Sequence, residues 1–297
     1  MMQAQKALAI LVAGLLASAP VAAEKKAATP LRLSASSQWV VDYRDQSCQL
    51  RRQFGEGDKR VVLAFSRFDI EDRFRLTLFG MPAKSLGMGE LKIQFGPVEQ
   101  QQKMDFHGAA EADGSMKLMS ASVLRIAPDA KKRGVFDKSA PPPPPVGADR
   151  ERAVTSLSLQ SGKGAPLILG LGSMGQPFAA LQKCADDMAA GWGIDVEAHK
   201  SLKRAVVAVG NPGMWVTTAD YPEKMLNQEQ SAVVEFRVDV DAQGKAVGCQ
   251  IQESTRAKEF DDAVCKSIMD RARFLPALDA NGNAIRSYWK NRVTFVT

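Results

Sequence analysis

The sequence has little of what metal, redox and hydrolytic chemistry are built from. It holds only two histidines in 297 residues, His107 and His199. Each stands in polar, loop-like surroundings without a neighbouring set of metal ligands, and so reads as a surface residue. The four cysteines, Cys48, Cys184, Cys249 and Cys265, include no C-x-x-C pair, which removes the usual signature of thiol redox catalysis and of zinc ribbons. Ser173 is no nucleophile elbow, because Leu171 stands where that motif needs glycine. Nothing raises Asp42 or Asp45 above other carboxylates. These absences favour a binding protein, with no catalytic residue, cofactor or metal, over an enzyme.

Charge of one sign is also scarce. The net charge is +6, and from 221 to 297 basic and acidic residues balance at eleven each. The densest basic run, Lys131-Lys132-Arg133, has no interleaved aromatics and reads as a solvated loop, which argues against a nucleic-acid partner. Gly170, Gly172 and Gly175 spell G-x-G-x-x-G with Asp195 further on, but they follow a β-rich run rather than repeated βαβ units. A tight turn feeding a helix explains them.

Long apolar runs are missing too. The longest, ALAILVAGLLA at 7–17, falls short of the roughly 20 residues that span a bilayer. With Lys6 before it and SAPVAA after it, the segment reads as a signal peptide, residues 1–23, cleaved after Ala23. The mature chain is then periplasmic, beginning with a flexible stretch at 24–35. The alternative is an inner-membrane anchor made by residues 7–23.

An oxidising periplasm favours pairing the cysteines. Three connectivities are possible. The one favoured keeps each bridge within one domain, Cys48–Cys184 and Cys249–Cys265.

Between 36 and 196 the segments SQWVVDYR, SCQLRRQF, RVVLAFSRF, FRLTLFG and LKIQFG read as successive strands with turn residues between them. Two more strand-like segments, 154–159 and 166–171, follow a polar stretch and a proline run. A helix at 176–188 then carries Phe178, Leu181, Cys184 and Met188 as one apolar stripe. The fold expected is an antiparallel β-rich domain with a closing helix. Pro141 to Pro145 are expected in a surface loop of that domain. Gly210, Pro212 and Gly213 mark 197–218 as the interdomain linker.

The remainder, 219–297, has a different pattern. Pro222 opens a short helix, where its missing N–H costs nothing. Val234, Phe236, Val238 and Val240 alternate with Glu235, Arg237, Asp239 and Asp241, the mark of a half-buried strand. AQGK turns the chain, and Val247, Cys249 and Ile251 face the covered side of the returning strand. In a helix at 257–273, Phe260, Val264 and Ile268 fall at i, i+4 and i+8. In the last strand Ile285, Trp289, Val293 and Phe295 share one parity and Arg286, Tyr288, Lys290, Arg292 and Thr294 the other. A three-stranded sheet under one long helix results.

These pieces resemble the C-terminal domain of TonB energy transducers: Tyr221-Pro222 entering the short helix, VVEFRVDVDAQGKAVGCQI as a hairpin, FDDAVCKSIMDRARFLPA as helix and exit, and a last strand after DANGNAI. The resemblance implies binding by strand addition, in which the extended TonB-box segment of an outer-membrane receptor pairs with the final strand. It places partner contacts at Arg286, Tyr288, Lys290, Arg292 and Thr294, and at Thr218, Ala219, Asp220, Tyr221 and Pro222. The family's usual Gln before the Tyr-Pro pair is absent. So are its membrane-spanning helix with a functional His and its long Pro-rich spacer. The function expected is therefore that of a receptor-reading module in receptor-mediated transport, without the motor. The alternatives are an envelope scaffold that uses the same edge strand for another partner or a homodimer, and an exported hydrolase in the first domain.

Overall fold

The computed structural model describes residues 29–127 and 145–297. The signal-peptide segment 1–23 and most of the proline run, 141–144, lie outside the described residues.

The first part of the chain runs β1 (Leu31–Ser34), β2 (Val40–Arg44), β3 (Ser47–Phe54), β4 (Val61–Arg67), β5 (Arg75–Gly80), α1 (Met81–Leu86), β6 (Gly89–Phe95), β7 (Gln102–Ala110) and β8 (Met116–Ser120). It continues with α2 (Ala148–Ala153), β9 (Ser156–Ser161), β10 (Leu167–Gly170), α3 (Gly175–Gly191) and α4 (Val196–Lys200). The ten strands form one sheet in the order β1-β10-β9-β6-β7-β8-β5-β4-β3-β2. Every pairing is antiparallel except that of β1 with β10, which makes the sheet mixed. A bridge from Ala35 to Phe54 brings the end of β1 back to β3 and curls the sheet on itself.

Alternation explains the curl's interior. Leu50, Leu63, Phe65, Leu76, Leu78, Ile93 and Leu159 all lose their solvent exposure inside it. Phe65 lies edge-on to Phe74 at 4.9 Å and to Phe178 of α3 at 5.4 Å. Helix α3 carries the expected stripe and ties to β3 through the Cys48–Cys184 disulfide.

Four elements depart from the sequence expectation, the unsignalled helix α2 (Ala148–Ala153) among them. Leu31–Ser34, expected to be flexible, is a strand, because Leu33 finds cover in the core while β10 supplies the pairing. Strand β7 falls where polar residues masked the alternation; only Phe106 on it is fully buried. Helix α1 was not signalled, and Pro82 sits in its first turn, where a missing N–H is harmless.

The second part contains β11 (Val207–Ala208), α5 (Glu223–Asn227), β12 (Ala232–Val240), β13 (Ala246–Ser254), α6 (Lys258–Arg271), β14 (Phe274–Leu275), β15 (Ala277–Leu278), β16 (Ala284–Ile285) and β17 (Ser287–Phe295). A three-stranded antiparallel sheet, β13-β12-β17, lies under α6. Phe260, Val264 and Ile268 of α6 pack with Val234, Phe236, Val238 and Trp289, and Cys249–Cys265 links β13 to the helix. Gly244 ends the hairpin turn at φ +80°, and a side chain there would meet the Phe274 carbonyl oxygen at 2.2 Å.

One local expectation fails here, and the expected linker stretch carries structure of its own. A register shift between Asp239 and Val240 turns Ala246 inward and leaves Val247 exposed, although its parity with Cys249 placed it on the covered side. The stretch 197–218 is no bare linker: α4 begins it, β11 pairs with β14, and Leu202, Val206 and Trp215 enter the second core. Trp215 lies edge-on to Phe274 and Trp289 at 5.2 and 5.4 Å.

Candidate functional site

Among the described residues, strand β17 is bonded along one side only. It pairs with β12 from Ala232↔Phe295 to Val240↔Ser287 and ends the sheet order on its other side. An edge of this kind presents main-chain N–H and C=O groups that a further strand can satisfy. Trp289, Val293 and Phe295 turn toward the core under α6, as the parity of the strand requires. Beside the edge runs a groove of about 210 Å³, with Pro212, Gly213 and Val216 on one wall and Asn291 to Thr294 on the other.

The other face of this sheet is covered as well, by the ten-stranded sheet and its loops. Arg75 of β5, only 5% exposed, pairs with both Glu235 of β12 and Glu253 of β13. Arg292 pairs with Glu235 at 3.2 Å and donates to the Ala121 carbonyl. Lys290 pairs with Asp69. Arg237 donates to Asp239 and Gln46 and lies 3.5 Å from the centre of the Trp192 ring. Burial lowers the Arg237 pKa while the neighbouring Asp239 acts to raise it. The polar side of the amphipathic strand thus faces a charged partner surface and not water. Nothing in a single-strand pattern distinguishes the two.

The residues expected at the site separate accordingly. Arg292 and Thr294 lie beside the groove, and Arg286 is exposed, donating to the Trp192 carbonyl. Tyr288 is not available to a partner, because its ring sits with Ile70, Ala189 and Ile194 and stacks on His199. Lys290 likewise turns toward Asp69. Asp220 is held by Arg271 at 2.6 Å and by Thr217, and the Arg271 guanidinium keeps its carboxyl well below the usual range. Tyr221 donates to the Gln230 carbonyl and packs edge-on to Phe260 and Phe295. Pro222 caps α5, and Thr218 is exposed in a short turn before it. Asp220, Tyr221 and Pro222 are therefore anchors of the fold, and the groove belongs to the later half of β17.

His199 was expected at the surface and is buried. Its Nε2 lies 2.7 Å from the Ser287 hydroxyl, and burial pushes its pKa down to about 4. His107 is exposed on β7 as expected.

Residues 217–297 match the family model described as Gram-negative bacterial TonB protein C-terminal. They are a TonB C-terminal domain. The match covers about a quarter of the chain, and the ten-stranded part is unassigned. No curated protein matches the chain.

TonB C-terminal domains bind outer-membrane receptors, and the family is non-enzymatic, with an energy-transduction role in the cell envelope. The two disulfides agree with an extracytoplasmic setting. Among the described residues no helix is long and apolar enough to cross a membrane. Nor does any group of His, Cys, Asp and Glu among them suit a metal ion.

Proposed function

We propose that this is an exported periplasmic protein whose TonB C-terminal domain takes up an extended segment of a partner, a TonB-box segment of an outer-membrane receptor, as an added strand along β17. One observation carries this reading: among the described residues, the edge of β17 from Lys290 to Phe295 is unpaired and lies beside a groove of mixed polar and apolar lining, within a domain of a receptor-binding family. Main-chain bonds to the edge give affinity, while side chains of alternate parity enter the groove or meet Arg292 and Thr294. The ten-stranded part acts as a scaffold that fixes the domain's other face. The mature chain begins at residue 24.

The test is an NMR titration of a TonB-box peptide into the full-length mature protein. Shifts are expected at Asn291 to Thr294 and at Gly213 and Val216. Their absence at millimolar peptide defeats the reading. The same open edge suits a second copy of the chain, and sedimentation distinguishes that outcome, since a dimer gives concentration-dependent mass with no peptide present.

A further inference from the structure

The edge of β17 is not open along its whole length. Two consecutive residues of a strand point to opposite faces, yet one imidazole reaches both Ser287 and Tyr288. His199 meets the Ser287 hydroxyl at 2.7 Å and stacks on the Tyr288 ring at 5.0 Å, 4° from parallel. Strand β12 occupies the far side of both residues through Asp239 and Val240. The ring therefore sits away from β12, against the first two residues of β17 where its free edge begins. Helix α4 carries His199 and is itself fixed there: Asp195 caps it, Lys200 pairs with Asp186 of α3, and Trp192 accepts from Arg286 while lying edge-on to Tyr288. Ser287 and His199 are almost wholly shielded from water.

We infer that α4, through His199, is a built-in stop that ends an added strand before Tyr288 and so fixes its register and length. The inference rests on the strand-addition reading and deepens it. Covering part of an edge is a general means of limiting unwanted pairing, and here it leaves only the run beside the groove for a partner. The partner strand therefore pairs with Lys290 to Phe295, and further residues at the end nearest α4 must turn away from the sheet.

Two measurements on the full-length protein test this. In hydrogen exchange without peptide, whichever amide of Ser287 and Tyr288 points away from β12 exchanges more slowly than the outward amides between Lys290 and Phe295. In His199→Ala that protection falls while Lys290 to Phe295 stay unchanged. Equal exchange in the unmodified protein overturns the stop, whether or not a peptide binds. In titrations, a TonB-box peptide of about ten residues binds within about twofold of one of about six, because its extra residues find no edge. In His199→Ala the longer peptide gains affinity and its shifts reach Tyr288. A tenfold advantage for the longer peptide with the unmodified protein, with shifts at Ser287 and Tyr288, overturns the proposal and leaves strand addition standing. Shifts absent from all of β17 remove strand addition, and the exchange measurement then decides the stop alone.

Discussion

Replacing Arg75 with alanine tests whether the charged layer between the two sheets holds them together. The guanidinium is 5% exposed, reaches Glu235 with one nitrogen 2.8 Å from each carboxylate oxygen, reaches Glu253 with another, and lies 5.3 Å from the centre of the Phe68 ring. Removing one member of a fully buried ion pair costs about 3–5 kcal/mol, because the remaining charge is stranded. Here the stranded charges are less isolated: the Glu235 and Glu253 side chains are 20% and 34% exposed, and Glu235 keeps Arg292. About 2–3 kcal/mol is the expected loss. Urea unfolding followed by tryptophan fluorescence reads it as a lower midpoint at unchanged slope. Arg75→Lys keeps the charge but not the fork, and falls between the two. Arg75→Met combined with Glu235→Gln and Glu253→Gln removes the stranded charges and recovers most of the loss. A loss under about 0.5 kcal/mol in Arg75→Ala, or no recovery in the triple variant, refutes the reasoning.

Further outcomes follow from other sites. His199 has its folded pKa pushed down to about 4, below the roughly 6.5 of an unfolded histidine. Between those values the unfolded chain binds the extra proton, so stability falls as pH drops through this window, by up to about 3 kcal/mol. The same urea midpoints at pH 7, 5.5 and 4.5 in His199→Gln lose this part of the pH dependence, and an unchanged profile contradicts it. Asp220 is also depressed, by Arg271; its contribution is present above the unfolded carboxyl range and lost in acid. Asp220→Asn therefore lowers Tm at pH 7 by a few degrees, with the difference shrinking below about pH 4 in calorimetry. Converting Cys249 and Cys265 to serine, a separation of 16 residues, costs about 3 kcal/mol in the loop-entropy model. Converting Cys48 and Cys184, separated by 136, costs about 5. Equal losses in denaturant melts would contradict the loop-length argument.

What the sequence carried was local. Val234, Phe236 and Val238 announce β12 through a period of two, and Phe260, Val264 and Ile268 announce α6 through a period near four, because each pattern is set by one element's own geometry. The disulfide pairs followed from keeping each bridge within one domain, with Cys184 and Cys249 on covered faces. The misses were non-local or masked. β7 escaped because its pairing with β6 and β8 is satisfied by backbone groups while its side chains stay polar. His199 carries no sign of burial, since what buries it, Tyr288 and Ser287, lies nearly ninety residues away. Arg75 and Glu235, separated by 160 positions, likewise give no joint pattern.

The same long-range contacts narrow how the TonB C-terminal domain can meet a partner. One face of its sheet is filled by α6 and closed by Cys249–Cys265. The other is covered by the ten-stranded part, and opening it would strand Arg75 and Lys290 without their carboxylates and take Gln46 and the Trp192 ring from Arg237. His199 meets Ser287 where β17 begins. What remains at β17 is a short open edge beside a groove, where a partner strand brings its own backbone groups and disturbs no buried charge. On the strand-addition reading, recognition by that edge breaks none of these buried ion pairs. A variant that loosens the charged layer, such as Arg75→Ala, should change stability far more than peptide affinity. If affinity instead falls in step with stability, the sheet face, and not the edge, is the recognition surface.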